Sequence, residues 1–223
     1  LKTIVTSELG RAIAAHYGLP TIDTLTGFKF IAEKIGEYEK TGEYSFQFGY
    51  EESCGFLAND FVRDKDAVQT ALTLADACAF YKSREKSLHD VLLDLYARHG
   101  YYCEDLHSVT FKGRDGAEKI ANFLSLMRSQ PLTGLAGKKL IAVEDYLTGQ
   151  RLDVQTGKMT LLTLPASNVI KIHLEDNSWC CVRPSGTEPK IKLYFGVKGS
   201  SMEEGREKLA LLKQSLLSRI PTD

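Results

Sequence analysis

Residues 179–197 read Trp179-Cys180-Cys181-Val182-Arg183-Pro184-Ser185-Gly186-Thr187-Glu188-Pro189-Lys190-Ile191-Lys192-Leu193-Tyr194-Phe195-Gly196-Val197. Two apolar runs, 179–183 and 190–197, flank a loop stiffened by two prolines, the pattern of neighbouring strands joined by a turn. The loop also gathers the groups that hold a phosphate monoester. The Arg183 fork offers two parallel donors, Ser185 and Thr187 add hydroxyls, and Gly186 lets backbone N–H groups turn into an anion-binding nest. Pro, Ser and Gly are equally ordinary turn residues, so local chemistry alone leaves a plain hairpin open. On a strand, Lys190 and Lys192 would share one face.

Working outward, strands are expected at Lys138–Asp145 and Asn168–Leu174 ahead of this pair, and at Tyr101–Lys112. Helices are expected at Ala117–Ser129 and Met202–Arg219. Short consecutive strands with helices at either side predict an antiparallel sheet packed on helices, an α+β domain over residues 100–223. Upstream of about His99–Tyr102 the pattern differs. Lys2–Thr6 reads as a buried strand, and Ser7 caps a helix that runs through His16 to Gly18. Leu19–Asp23 reads as a strand, Phe28–Tyr38 as an apolar-periodic helix, Ser45–Gly49 as a strand and Tyr50–Gly55 as a polar loop. Helices at Lys65–Ser83 and Ser87–Arg98 follow, the second ended by Gly100. Strand-helix alternation predicts an α/β domain over residues 1–99, with a parallel sheet and helices on both faces.

With 223 residues the chain is long enough for two small domains, each with its own core. Its net charge of −1, with acids and bases interleaved, provides no broad basic face for nucleic acid. No stretch approaches the roughly 20 apolar residues that span a bilayer, and no secretion signal is visible, so no membrane partner and a cytoplasmic location are expected. Five cysteines, odd in number and without CxxC spacing, read as small core residues rather than disulfides or zinc ligands. None of the five histidines has a metal-ligand or nucleophile-base spacing, so no metal site is expected. The opening at Leu1 reads as that of a fragment cut from a longer protein.

Three further segments carry candidate chemistry. Gly49-Tyr50-Glu51-Glu52-Ser53-Cys54-Gly55 places a carboxylate and a hydroxyl two residues apart at a strand end. A carboxylate suits sugar hydroxyls as donors, and ligands of open α/β sheets sit at such ends. A solvated acidic loop is the plain alternative. Thr24-Leu25-Thr26-Gly27-Phe28-Lys29 opens a helix, where Thr26 and Gly27 offer a hydroxyl and a helix-start amide; Phe28 reads as core by its helical period. Arg63-Asp64-Lys65-Asp66-Ala67 is a charged helix start, in which Asp64 or Asp66 complements the helix dipole, as in an ordinary capped, solvated end.

The run R-P-S-G-T-E-P-K-I-K closely resembles the phosphate-binding loop in the last domain of α-D-phosphohexomutases, the phosphoglucomutase/phosphomannomutase family. The resemblance implies that Arg183, Ser185, Gly186 and Thr187 grip the phosphate distal to the reacting centre, with Lys190 and Lys192 adding positive field. The segment around Glu51 and Ser53 resembles the family's G-E-x-S-x-G sugar-binding loop, with Tyr50 inserted. The turn holding Thr26 and Gly27 resembles its substrate-recognition turn. Arg63–Ala67 resembles its basic turn, which implies that Lys65 lies near the transferring phosphoryl group and acts in proton transfer.

The resemblance covers essentially the whole chain, as most of the family's third domain, with its first strand and helix expected to be missing, and all of its fourth. The family's phosphoserine loop and metal loop have no counterpart in these residues. The resemblance implies an isomerase, an intramolecular phosphotransferase that interconverts hexose 1-phosphate and 6-phosphate. It would work through a phosphoserine and a sugar bisphosphate, with Mg2+ held elsewhere in the full-length protein. The expected partners are a small-molecule sugar phosphate and the N-terminal domains of the same protein, and this chain alone is expected to be inactive. A free-standing sugar-phosphate-binding regulatory module and a phosphopentomutase-type member are the alternatives.

Overall fold

The computed structural model describes residues 1–53, 55–111, 115–130, 132–186 and 188–220. The chain divides into two compact units, Leu1–Gly100 and Tyr101–Asp223.

The first unit is built on four short strands, β1 (Lys2–Thr3), β2 (Asp23–Thr24), β3 (Gly49–Glu51) and β4 (Gly55–Leu57), in the order β2-β1-β3-β4. β1 runs parallel to both β2 and β3, with Lys2 opposite Asp23 and Tyr50. β3 and β4 form an antiparallel hairpin that pairs Glu51 with Gly55. The sheet is therefore mixed rather than wholly parallel, and the segment expected as a loop at 50–55 supplies two strand ends. The strand expected at 19–23 shrinks to its last residue, because Pro20 lacks the N–H a ladder needs. Residues 45–48 lie outside regular structure, and β3 begins at Gly49.

The helices of this unit are α1 (Leu9–His16), α2 (Phe28–Thr41), α3 (Ala67–Lys82) and α4 (Leu88–His99). In α2, Phe28, Ile31, Ile35 and Tyr38 recur at three- and four-residue steps and are all buried, so one stripe faces inward. Phe28, Ile31 and Ile35 join Leu57 of β4 in the core. Each such side chain contributes about 1.5–3 kcal/mol of burial energy. Gly42, with φ of 68°, stops the helix in the left-handed conformation. Ser87 and Asp90 cap α4 reciprocally.

The second unit comprises β5 (Tyr101–Thr110), α5 (Gly116–Ser129), β6 (Gly134–Leu135), β7 (Lys138–Asp145), β8 (Gln150–Asp153), β9 (Met159–Leu161), β10 (Ile170–Leu174), β11 (Trp179–Pro184), β12 (Lys190–Gly199) and α6 (Met202–Leu217). The strand order is β5-β12-β11-β10-β7-β8-β9, with β6 on β7 and every pairing antiparallel. Alternate residues form the core face: Ile170 and Ile172 of β10, Cys180 and Val182 of β11, Ile191 and Leu193 of β12. Ile120 and Leu124 of α5 and Leu212 and Leu216 of α6 join them in one cluster. Replacing Leu193, which is fully buried, by Ala would cost about 2–5 kcal/mol.

The sequence reading missed β6, β8 and β9. They are two to four residues long, and β9 is exposed throughout, so no alternation marks it. Cys103, Cys180 and Cys181 are buried as expected, and burial pushes the Cys180 thiol up, which keeps it neutral. Cys78 is exposed, against expectation, because α3 presents most of its length to solvent. Cys54 and Lys112 lie outside the described residues.

Candidate functional site

Each unit carries one candidate site. In the first, the three segments singled out in the sequence converge on the β3–β4 hairpin. The Glu51 side chain, 4% exposed, accepts a hydrogen bond from the Gly27 N–H at 2.8 Å and from the Ser53 hydroxyl at 3.2 Å. Its second oxygen lies 3.1 Å from Lys65 Nζ, which also donates to the Ser53 carbonyl and hydroxyl oxygens, both at 3.3 Å.

Gly27 opens α2 with φ of 121°, a conformation that favours glycine. Its amide is one of the donors a helix start leaves without an intrahelical partner, and a carboxylate there is favoured by the helix dipole. Thr26 sits in the bend just ahead of it. Gly55 admits the lysine: a Cβ there would fall 2.1 Å from Lys65 Cδ.

Arg63 lies outside this cluster, donating to the Asp60 carbonyl at 2.8 Å and paired with Glu39 of α2. Asp66 caps α3 by accepting from the Val68 N–H at 2.9 Å, and Asp64 accepts from the Lys65 N–H at 2.7 Å. Asp66 thus serves the helix start and Asp64 the turn just before it, while the Lys65 side chain turns toward Glu51.

Two residues that sequence reasoning passed over, Glu52 and Lys2, tie the surroundings of the site together. Glu52 accepts from the Thr3 and Thr6 hydroxyls at 3.0 and 2.9 Å, which ties the turn to β1. Lys2 is fully buried, donates to the Thr3 and Thr6 carbonyls at 3.0 and 3.1 Å, and pairs with Glu8 and Asp23 at 3.0 and 3.1 Å. A lysine inside an apolar strand start is the signal that reveals such a network, since an unpaired buried charge is prohibitive.

In the second unit Arg183–Gly186, Glu188 and Pro189 border a cleft of about 750 Å3, also lined by Ala117 and Ile120 of α5 and by Ser167 and Asn168. That volume suits a small ligand. β11 and β12 deliver the loop, with Arg183 opposite Lys192 in register. The Ser185 N–H donates to the Lys190 carbonyl at 2.7 Å and closes the loop. Arg183 is half-buried, Gly186 is exposed, and no side chain among the described residues pairs with the Arg183 guanidinium. Lys190 and Lys192 are both half-buried while Ile191 and Leu193 are fully buried, so the two lysines share the face away from the core. Thr187 lies outside the described residues.

A polar cluster without a sequence signature sits elsewhere on this sheet, because its members come from β7, β8 and β10. Glu144 accepts from the Tyr146 hydroxyl at 2.8 Å, lies 3.2 Å from His173 Nε2, and pairs with Arg151. Lys171, opposite Glu144 in register and buried, holds its Nζ 4.7 Å from the centre of the Trp179 ring. Burial would raise the Glu144 carboxyl, but His173, Tyr146 and Lys171 carry it down to about 2.

Among the described residues no group of three or more His, Cys, Asp or Glu side chains could hold a metal ion. The Lys65 ammonium lies 3.1 Å from the Glu51 carboxylate and repels a second positive charge, so this site does not fit a divalent cation. No described helix is long and apolar enough to cross a membrane.

The phosphoglucomutase/phosphomannomutase family model for alpha/beta/alpha domain III matches residues 1–99, and the model for the C-terminal domain matches residues 136–214. A phosphoglucomutase of Staphylococcus epidermidis is 42% identical over 196 residues, covering 88% of this chain and 35% of the relative. A phosphoglucomutase of Staphylococcus aureus is 37% identical over 209 residues, covering 94% of this chain and 37% of the relative. The chain thus spans about a third of the length of these relatives. Among solved structures, the phosphoglucomutase-like parafusin of Paramecium superposes with a TM-score of 0.65 at 18% identity, over 98% of this chain and 36% of its own. A phosphomannomutase-like protein of Thermus thermophilus gives 0.60 at 19% identity, over 97% and 35%. At such identities these two likenesses bear on the fold alone. Matched by two consecutive domain models and by relatives along nearly its whole length, this chain belongs to the phosphoglucomutase/phosphomannomutase family, of which it carries a C-terminal portion.

Proposed function

We propose that this chain is the substrate-holding part of a cytoplasmic phosphohexomutase, an isomerase that interconverts hexose 1-phosphate and hexose 6-phosphate through a phosphoserine and a bisphosphate intermediate. Residues 1–99 hold the sugar and residues 100–223 hold the phosphate remote from the reacting centre. The observation that carries this reading is the convergence of Glu51, Ser53, Gly27 and Lys65, from three separate segments, on one hairpin.

Glu51 accepts from vicinal sugar hydroxyls, and Ser53 donates or accepts beside it. Thr26 and Gly27 flank the ring, and contacts near the middle of a sugar can be remade after the intermediate turns end for end. Lys65 brings a mobile positive charge and a proton to the transferring phosphoryl group, where positioning and charge neutralisation carry most of the rate. Arg183, Ser185, Gly186 and Thr187 grip whichever phosphate is distal, and Lys190 adds field. The serine nucleophile comes from outside these 223 residues, so the chain by itself shows no turnover. Mg2+, which the family implies for the complete enzyme, finds no fitting ligand set among the described residues and enters no step.

The reading is tested by equilibrium dialysis of the chain against glucose 1-phosphate and against free glucose. Retention of the phosphate ester alone, weakened in both Glu51→Gln and Arg183→Ala, is expected. A chain that holds glucose 1-phosphate no better than glucose would sink it.

A further inference from the structure

The Arg183 loop forms one wall of its cleft, and the facing end of β10 brings a second polar wall that no motif marked. Ile170 pairs with Val182, and the bend at Asn168, two residues ahead of that pair, borders the cleft. Ser167 and Asn168 line the same cleft as Arg183 and Ser185. The backbone here is pinned: the Ser167 N–H donates to the Tyr146 carbonyl at 3.0 Å, and the Tyr146 N–H to the Val169 carbonyl at 3.0 Å.

The Asn168 side chain is pinned as well. Arg128, near the end of α5, grips Asp145 with two donors at 3.1 Å and gives a third hydrogen bond, at 2.8 Å, to Asn168 Oδ1. A guanidinium only donates, so the oxygen of the amide must face it, which fixes the flip of the side chain. The Nδ2 group, with two donors, is turned the other way. Asp145 also accepts from the Leu147 N–H and the Thr148 hydroxyl, both at 3.1 Å, so the anchor beneath Arg128 is itself satisfied.

We propose that Asn168 contacts the ligand of this cleft, donating from Nδ2 to a phosphate oxygen across from the Arg183 loop, and that Arg128 is the residue that positions it. The proposal rests on the reading of the cleft as a phosphate site and deepens it. A phosphate monoester has three terminal oxygens, and the Arg183 fork addresses two of them. A neutral amide on the opposite wall meets the third without adding charge, and it distinguishes a tetrahedral oxyanion from a planar carboxylate that the fork would satisfy alone.

The test is a titration of inorganic phosphate into the whole chain, followed by 31P and amide NMR, for the wild type, Asn168→Ala, Asn168→Asp and Arg183→Ala. Asn168→Asp still accepts from Arg128 and preserves the anchor, while it removes the donors and adds a negative charge. Asn168→Ala separates the lost donor from that added charge. Asn168→Ala is expected to weaken phosphate binding about tenfold, the worth of one hydrogen bond to a charged group, and Asn168→Asp to weaken it further through the added charge. Arg128→Met is expected to match Asn168→Ala, with unchanged chemical shifts in the β11–β12 strands showing an intact fold. If Arg183→Ala abolishes binding while Asn168→Ala binds like wild type, the inference is overturned and the phosphate reading of the loop stands. If the wild type binds no phosphate, both are overturned.

Discussion

Lys65 Nζ lies 3.1 Å from the Glu51 carboxylate, and that carboxylate is nearly sealed from solvent while the lysine is about a third exposed. Glu51 therefore has an internal partner when no ligand is present, and the lysine has a route outward. Glu51→Gln keeps the shape but sets an NH2 against the Ser53 and Lys65 donors. We expect it to destabilise the first unit by about 1–3 kcal/mol, read by urea unfolding with hydrogen exchange resolving the two units.

Gly55→Ala probes the same pair without touching either charge. The added Cβ collides with the Lys65 stem, a flexible chain that can swing aside. Stability should change little. Affinity for glucose 1-phosphate should fall about tenfold, the equivalent of one charge-assisted hydrogen bond, as calorimetric titration would show.

Glu52→Ala removes the acceptor shared by Thr3 and Thr6, although these two hydroxyls keep each other as partners at 2.7 Å. The expected loss is about 1–2 kcal/mol, with the amide resonances of Glu51 and Ser53 broadened as the hairpin loosens. Unchanged sharp resonances would deny Glu52 its role in positioning the turn.

Acid should weaken the second unit through Glu144. Its folded carboxyl titrates near 2, below its ordinary value of 4.5. The unfolded state thus takes up protons first as pH falls, and the stabilisation, complete above about pH 5, is lost between there and about pH 2. A shift of this size corresponds to ~3 kcal/mol. Unfolding midpoints measured at pH 7 and pH 3 should converge for Glu144→Gln relative to wild type.

Much of this was legible from the chain. The long strands of the second unit, 138–145, 179–184 and 190–199, alternate or run apolar over enough residues to declare themselves. The four strands of the first unit are two or three residues long, too short for any period, so residues 50–55, which supply two strand ends of the β3–β4 hairpin, read as a loop. The sequence pointed separately to Glu51, Ser53, Gly27 and Lys65, but only folding reveals that they share hydrogen bonds. Glu52, Asn168 and the Glu144 cluster carried no local signal, since each is defined by partners from other strands and helices.

The central claim is that these two units hold a sugar phosphate. An amide NMR titration of glucose 1-phosphate into the chain tests it most directly. The account predicts shifts at Ser185 and Gly186 that vanish in Arg183→Ala, together with shifts at Gly27 and Ser53. Spectra unchanged at both sets of residues up to tens of millimolar ligand, far above the roughly millimolar affinity that a few directed hydrogen bonds give, would contradict it.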